Sequence, residues 1–360
     1  MKTYIIIIST LIIVFAGCQN KTITENDIKT INVKHTRINL NLDSIFDPRK
    51  IIKIDDKHFV IIKGRENTFY ELIDIVSMKH YPFGIKGRGP EEVLDGYSLY
   101  YDTAKNSLYS YSAMKGEYYS YKIQNIKKGI GRYYKKILSI DQSMGMPLHF
   151  IPFNDTLFIA TGSFKKGRYG VYNKGDLLFT FGKFQVINPQ ARKMNNSQLS
   201  AAYRSSVVSN KSNKFVSVTK RSDLIEIFKY ENGSFTQINK NYKCQYPPCY
   251  RLVKIRKGWG TSKCKNSILG FSRCRVSSEY IFITFSTEKI IDFVKNLKAQ
   301  YPNTIRVYDW QGNYIADIKT DLPIWDFTVE RNGNKHIFYA IAQNDSETSP
   351  YILVKYEVEI

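Results

Sequence analysis

Six short runs of β-forming residues, a mean step of about 56 residues between them, and the lack of any Pro/Gly/Ser-rich break predict an all-β protein. The architecture they predict is a six-bladed β-propeller with four-stranded antiparallel blades. The runs are HFVIIKG (58–64), SLYSYSA (107–113), TLFIATG (156–162), KFVSVTK (214–220), YIFITFS (280–286) and HIFYAIA (336–342). Anchored on Phe59, Leu108, Leu157, Phe215, Ile281 and Ile337, they recur at steps of 49, 49, 58, 66 and 56 residues. Each is followed by a partner run: FYELIDI, EYYSYKI, YGVYNKGDLLFTFG, LIEIFKY, TIRVYDWQGNYIADI and YILVKYEV. Apolar and polar positions alternate within the runs, as in half-buried antiparallel strands, and turn signals such as WQGN (310–313) and NGN (332–334) separate them. Two packed sandwiches are the competing architecture, and they leave six similar units unexplained. Composition agrees with a large β core: of 360 residues 43% are hydrophobic, with 27 Tyr and 21 Phe. The same figures exclude a wholly disordered, collagenous or polytopic membrane chain.

Along the chain, the first element is an export signal over residues 1–17. Lys2 precedes fourteen uncharged residues, Tyr4 to Gly17, which at 1.5 Å per residue span about 21 Å, short of a bilayer core of roughly 30 Å. The small-small-Cys ending, Ala16-Gly17-Cys18, resembles the lipobox of bacterial lipoproteins, which implies a lipid on the Cys18 sulfur and cleavage before it. A plain secretory signal with an incidental Cys is the other reading. Several acyl chains at about 0.8 kcal/mol per buried CH₂ would make attachment to a membrane permanent. Residues 18–30 then form a polar tether, and the propeller domain occupies 31–360, with 31–42 as the outer strand that closes the ring against the last blade.

The 66-residue step reflects an insertion at 240–275. It holds every cysteine left after lipidation, Cys244, Cys249, Cys264 and Cys274, spaced x4, x14 and x9. In an oxidising compartment two disulfides are expected, in any of three pairings, and a four-cysteine zinc site is the sharper alternative although its paired CxxC spacing is missing. Lys plus Arg outnumber Asp plus Glu by 53 to 32, a formal charge of +21. From 232 to 278 there is no acid and there are ten cations: Lys240, Lys243, Arg251, Lys254, Arg256, Lys257, Lys263, Lys265, Arg273 and Arg275. Tyr242, Tyr246, Tyr250 and Trp259 lie among them, a combination of cations and flat apolar faces suited to an anionic glycan, a lipid headgroup or a protein partner. A solvated loop of a basic protein is the bland reading of the same run. Nucleic acid ranks last, because the signal takes the chain out of the cytoplasm. A second acid-free run, Lys122 to Lys136, carries Lys127, Lys128, Arg132, Lys135 and Lys136 and reads best as solvated surface.

Nucleophile-elbow, zincin, P-loop and EF-hand signatures are absent, and no cofactor is expected. His35, His58, His80, His149 and His336 are far apart, and His58 and His336 occupy the same place before equivalent strands. FGIKGRGPEEVLDGYSLYYD (83–102) resembles the inter-blade linker of NHL-type propellers, and LIEIFKY and IRVYDWQGNYIADIKT resemble blades of the TolB-like six-bladed propeller lipoproteins of Bacteroidetes. That resemblance implies the fold and the cell envelope as location; it implies no reaction and transfers no catalytic residue. The expected function is binding or scaffolding. The alternative is a glycan hydrolase or lyase with its site at the channel mouth, which converging carboxylates there would favour.

Overall fold

The structure is a computed structural model. It describes residues 28–360 except 41, 43, 44, 46, 65, 90, 91, 97, 130–134, 257, 292–300 and 345–349. The signal segment, Cys18, Lys257 and Arg132 lie outside the described residues.

Six antiparallel sheets form six blades. Blade one is Pro48–Lys53, His58–Lys63, Thr68–Asp74 and Lys79–Ile85. Blade two is Ser98–Asp102, Ser107–Ser112, Glu117–Lys122 and Lys135–Ser139. Blade three is Gly145–Pro152, Leu157–Phe164, Tyr169–Asn173 and Asp176–Phe181. Blade four is Ser205–Ser209, Lys214–Thr219, Ile225–Glu231 and Ser234–Gln237. Blade five starts with Ile268–Val276 and continues through Tyr280–Lys289, Thr304–Asp309 and Tyr314–Thr320. Blade six is Ile324–Asn332, Lys335–Gln343 and Tyr351–Glu359, with Thr36–Arg37 as its outer strand.

All six anchor runs fall on second strands and all six partner runs cover third strands. Second strands are flanked by neighbouring blades on both faces, so His58–Lys63 is buried throughout rather than alternating. The core is correspondingly divided into six apolar layers, one between each pair of adjacent blades. The layer between blades three and four is rich in aromatic rings, with Phe215 stacked on Phe228 at 4.9 Å and Phe181 on Phe235 at 4.8 Å.

Ring closure differs from expectation in one respect. The N-terminal segment is not a single outer strand over 31–42. Lys29–Val33 first adds a parallel fifth strand to blade five against Tyr314–Thr320, and only Thr36–Arg37 pairs with blade six. The polar residues Lys34 and His35 let the chain cross between the two blades, and the His35 ring meets Asp321 at 3.0 Å there. Two sheet edges are covered by one extended segment.

The insertion is shorter than 240–275. Ile268–Val276 is the innermost strand of blade five, so Arg273, Cys274 and Arg275 belong to the ring. Its serine and arginine content comes from facing the channel, which is why it did not look like a strand. What remains carries a two-stranded hairpin, Tyr250–Ile255 and Gly258–Lys263. The hairpin packs against Asn196–Ala202, a short helix in the connection between blades three and four that is capped by a reciprocal Asn195/Gln198 box. The Gln198 side-chain amide donates to the Trp259 carbonyl at 2.9 Å.

Candidate functional site

First strands ring the central channel, and connections between blades surround one end of it. There the structure holds a cavity of about 570 Å³. Its lining carries seven Lys or Arg side chains, namely Arg49, Lys50, Arg168, Arg204, Lys220, Arg273 and Arg275, against one carboxylate, Asp95. Asp95 is occupied: it accepts from the Ser112 hydroxyl and from the Ala113 and Met114 amides.

Two of the arginines are fixed by a fully buried carboxylate behind them. Both oxygens of Asp326 accept: Arg275 Nη2 lies 2.8 and 3.0 Å from the two, Arg273 Nε 3.1 Å from one, and the Ile51 amide 2.8 Å from the other. Arg273 also lies over the Trp325 ring at 5.4 Å and Arg275 over Phe327 at 5.7 Å. Arg168 is neutralised by buried Glu226 and donates to Ser205 and Thr219 hydroxyls at 2.7 Å. Arg204 and Lys220 have no ion pair among the described residues. Lys220 keeps access to cavity water although protein surrounds it on most sides.

Crowding of like charges shows in the titration of these groups. Burial first, then the Arg273 charge, lower the Lys50 amine to about 7, Asp326 opposing the shift. Burial and then Arg273 bring Lys220 to about 8. His149 is pushed down to about 3 by burial and then Lys50, and its Nδ1 accepts the Val207 amide at 3.4 Å, so it is a neutral ring. Asp47, Glu226 and Asp326 offset four of these cations, and an anionic ligand would offset the charge on Arg204 and Lys220. Hydroxyls of Ser98, Thr161, Ser200, Ser205, Ser206 and Ser272 complete the polar lining, beside the rings of Phe184 and Tyr203.

The residues singled out from the sequence are dispersed. Arg251, Lys254, Arg256 and Lys265 are solvated, and Trp259 is 61% exposed on the hairpin. Tyr242 and Tyr246 do not offer ring faces to solvent but pack on the blade-five core, the Tyr242 hydroxyl donating to the Asp223 carbonyl at 2.8 Å. Of the nine of these cations that are described, Arg273 and Arg275 line the central cavity and Lys263 a second one beside it. In the other basic run, Lys127, Lys128, Lys135 and Lys136 are exposed on the outer part of blade two, Lys136 pairing with Glu117.

The expectation of two disulfides is corrected to one. Cys249 joins Cys264, while Cys244 and Cys274 are free thiols. Cys274 is buried in the blade-five core, where burial raises its thiol to about 12, and the Cys244 thiol donates to Asp223 Oδ1 at 2.8 Å. Asp223, also accepting from the Gln245 and Tyr246 amides, anchors the loop that the second bridge would have anchored. No three His, Cys, Asp or Glu side chains converge among the described residues.

Sequence reading missed Arg49, Lys50, Arg204 and Lys220 altogether. Lys220 ends an anchor run, and the others sit on or beside first strands, whose polar character conceals them.

The profile of the TolB-like six-blade propeller-like family matches residues 25–332. The chain belongs to this family. Among solved structures, this TolB-like propeller is similar to a Bacteroides fragilis protein described as exported, at 11% identity and a TM-score of 0.51, over 92% of this chain and 99% of that one. It is also similar to a DUF4221-family protein of Bacteroides vulgatus, at 10% identity and a TM-score of 0.56, over 91% of this chain and 99% of that one. At these identities the TolB-like fold is what is shared. No curated protein matches the chain. Among the described residues no helix of the TolB-like domain is long and apolar enough to cross a membrane.

Proposed function

We propose that the protein is an exported, membrane-tethered binding propeller that captures a small polyhydroxylated anion, an acidic sugar, in its central cavity. The observation that carries this reading is the 570 Å³ cavity rich in cations: Arg49, Arg168, Arg273 and Arg275 are paired with Asp47, Glu226 and Asp326, while Arg204 and Lys220 lack any counter-ion among the described residues. That volume lies within the roughly 300–1,000 Å³ of small-molecule sites. Six hydroxyl side chains in the lining suit sugar hydroxyls. Location follows from the uncharged N-terminal run and its lipobox-like Ala16-Gly17-Cys18 ending, with which an exported structural relative is consistent. The site therefore shifts from the insertion to the channel, while the chemistry of the ligand stays anionic.

Calorimetric titration of galacturonate into the full-length protein is expected to show binding that Lys220→Gln weakens about tenfold, the value of one charged hydrogen bond of about 1.5 kcal/mol. Equal affinity for wild type and variant would remove the central cavity from the reading. A second reading, in which the site also cleaves its ligand, is favoured by Lys50: an amine brought to about 7 is partly neutral at physiological pH and able to accept a proton. In that reading the amine takes the proton at C5 of a uronate, the C4–O bond breaks as a C4–C5 double bond forms, and the leaving oxygen takes a proton from water; incubation with an oligogalacturonide then yields an unsaturated, ultraviolet-absorbing product that Lys50→Met abolishes.

A further inference from the structure

Beside the central cavity lies a second one of about 540 Å³. The two share Arg204 and Lys220 in their linings, so this pair of cations stands between them and faces both. The side chamber adds Arg221 and Lys263, the hydroxyls of Thr261 and Ser262 and the ring of Tyr250, with no carboxylate in its described lining. We infer that the ligand is a chain of acidic sugars, one unit seated in the central cavity and the next in this side chamber, which the Cys249–Cys264 disulfide holds in shape. This deepens the reading above and rests on it.

The disulfide is placed to do this. Tyr250 and Lys263 are register partners at the base of the hairpin, and the next residues outward are the bridged cysteines. The Cys264 amide donates to the Cys249 carbonyl at 3.1 Å, so the base is fixed by backbone and sulfur together. On the opposite wall Arg221 is held with φ at 62°, a left-handed backbone uncommon for a residue with a side chain. The adjoining Ser222 keeps it there: its hydroxyl donates to the Thr219 carbonyl at 2.9 Å, and its carbonyl accepts the Phe271 amide at 2.8 Å. Gly270 permits that approach, since a Cβ there would stand 2.4 Å from the Ser222 nitrogen. Both walls of the chamber are thus ordered before a ligand arrives, which reduces the ordering cost of binding. A phospholipid headgroup fits less well, because Ala201 and Tyr250 are the apolar residues of a lining otherwise made of cations and hydroxyls.

The test is calorimetry on the full-length protein in detergent with galacturonate, digalacturonate and tetragalacturonate as probes. The dimer is expected to bind at least tenfold more tightly than the monomer. Lys263→Gln, and separately Cys249→Ala with Cys264→Ala, should erase that gain and leave monomer affinity within about twofold of wild type. Lys220→Gln should weaken monomer and dimer alike. Monomer binding without a gain for the dimer would overturn the chain-binding inference and leave the central-cavity reading standing, as would a Lys263→Gln variant that loses monomer and dimer equally. Failure of every galacturonide to bind would overturn both. Lys263-dependent binding to phosphatidylglycerol vesicles without galacturonide binding would replace the sugar chain by a lipid surface. Should the double cysteine variant fail to fold, as read by its thermal transition, Lys263→Gln decides.

Discussion

Lys50 and Lys220 are the residues whose behaviour depends most on what fills the cavity. With amines brought to about 7 and about 8, both lose charge across the neutral range when the cavity is empty. A bound anion favours their charged forms, so binding takes up protons. Affinity for galacturonate is expected to fall severalfold from pH 6 to pH 9, and titrations at pH 7.5 in buffers of different ionisation enthalpy should register proton uptake. A flat profile would mean that these amines do not meet the ligand. The same shift acts on folding with a definite sign. An unfolded lysine titrates near 10.4, so between the folded values and that one the unfolded chain binds more protons, and the empty fold gains stability as pH rises through this window. The cost of crowding Lys50, Lys220 and Arg273 at lower pH is a cost that a bound carboxylate relieves.

Among the elements, the N-terminal segment contributes most for its length. Ile31 and Val33 pack onto the apolar layer between blades five and six, and Thr36–Arg37 completes the last blade. A chain beginning at Ile28 should melt as the full chain does, whereas one beginning at Ile38 exposes two sheet edges and should melt several degrees lower. Coincident melting curves would show that the segment is dispensable. The six second strands were legible in the sequence because burial on both faces leaves nearly continuous Val, Ile, Phe and Tyr, as in FVII at 59–62. The third strands were legible for the same reason. First strands were not, since one side of each faces a polar channel: the Ser-Arg-Cys-Arg of 272–275 looked like loop, and blade five was entered too late. Asn196–Ala202 is a helix specified by its capping box and its packing on the hairpin, in a stretch without an apolar period to announce it. Disulfide pairing was set by contacts outside the insertion, with Asp223 holding Cys244 and the blade-five core burying Cys274.

At the scale of the whole molecule, the excess of +21 acts on ligands through two surfaces at different distances from the cavity. The hairpin adjoins the side chamber, whereas Lys127, Lys128, Lys135 and Lys136 belong to the outer part of blade two. Reversing Arg251, Lys254 and Arg256 to Glu is expected to slow association of an oligogalacturonide at low salt more than reversing three of the blade-two lysines. The difference should vanish at high salt, where screening acts within a few ångströms. Equal slowing would show that net charge alone steers the ligand. The course of the first strand carries a last consequence. Lys29–Val33 runs parallel to Tyr314–Thr320, so the chain enters the ring at the end marked by the 310–313 turn. Ala113, Gly162 and Lys220 place the cavity at the opposite end, where second strands hand over to third strands. With a lipid on Cys18, as proposed, the stalk is fastened to the back of the disc and the bowl opens away from the bilayer, towards chains arriving from the surrounding medium.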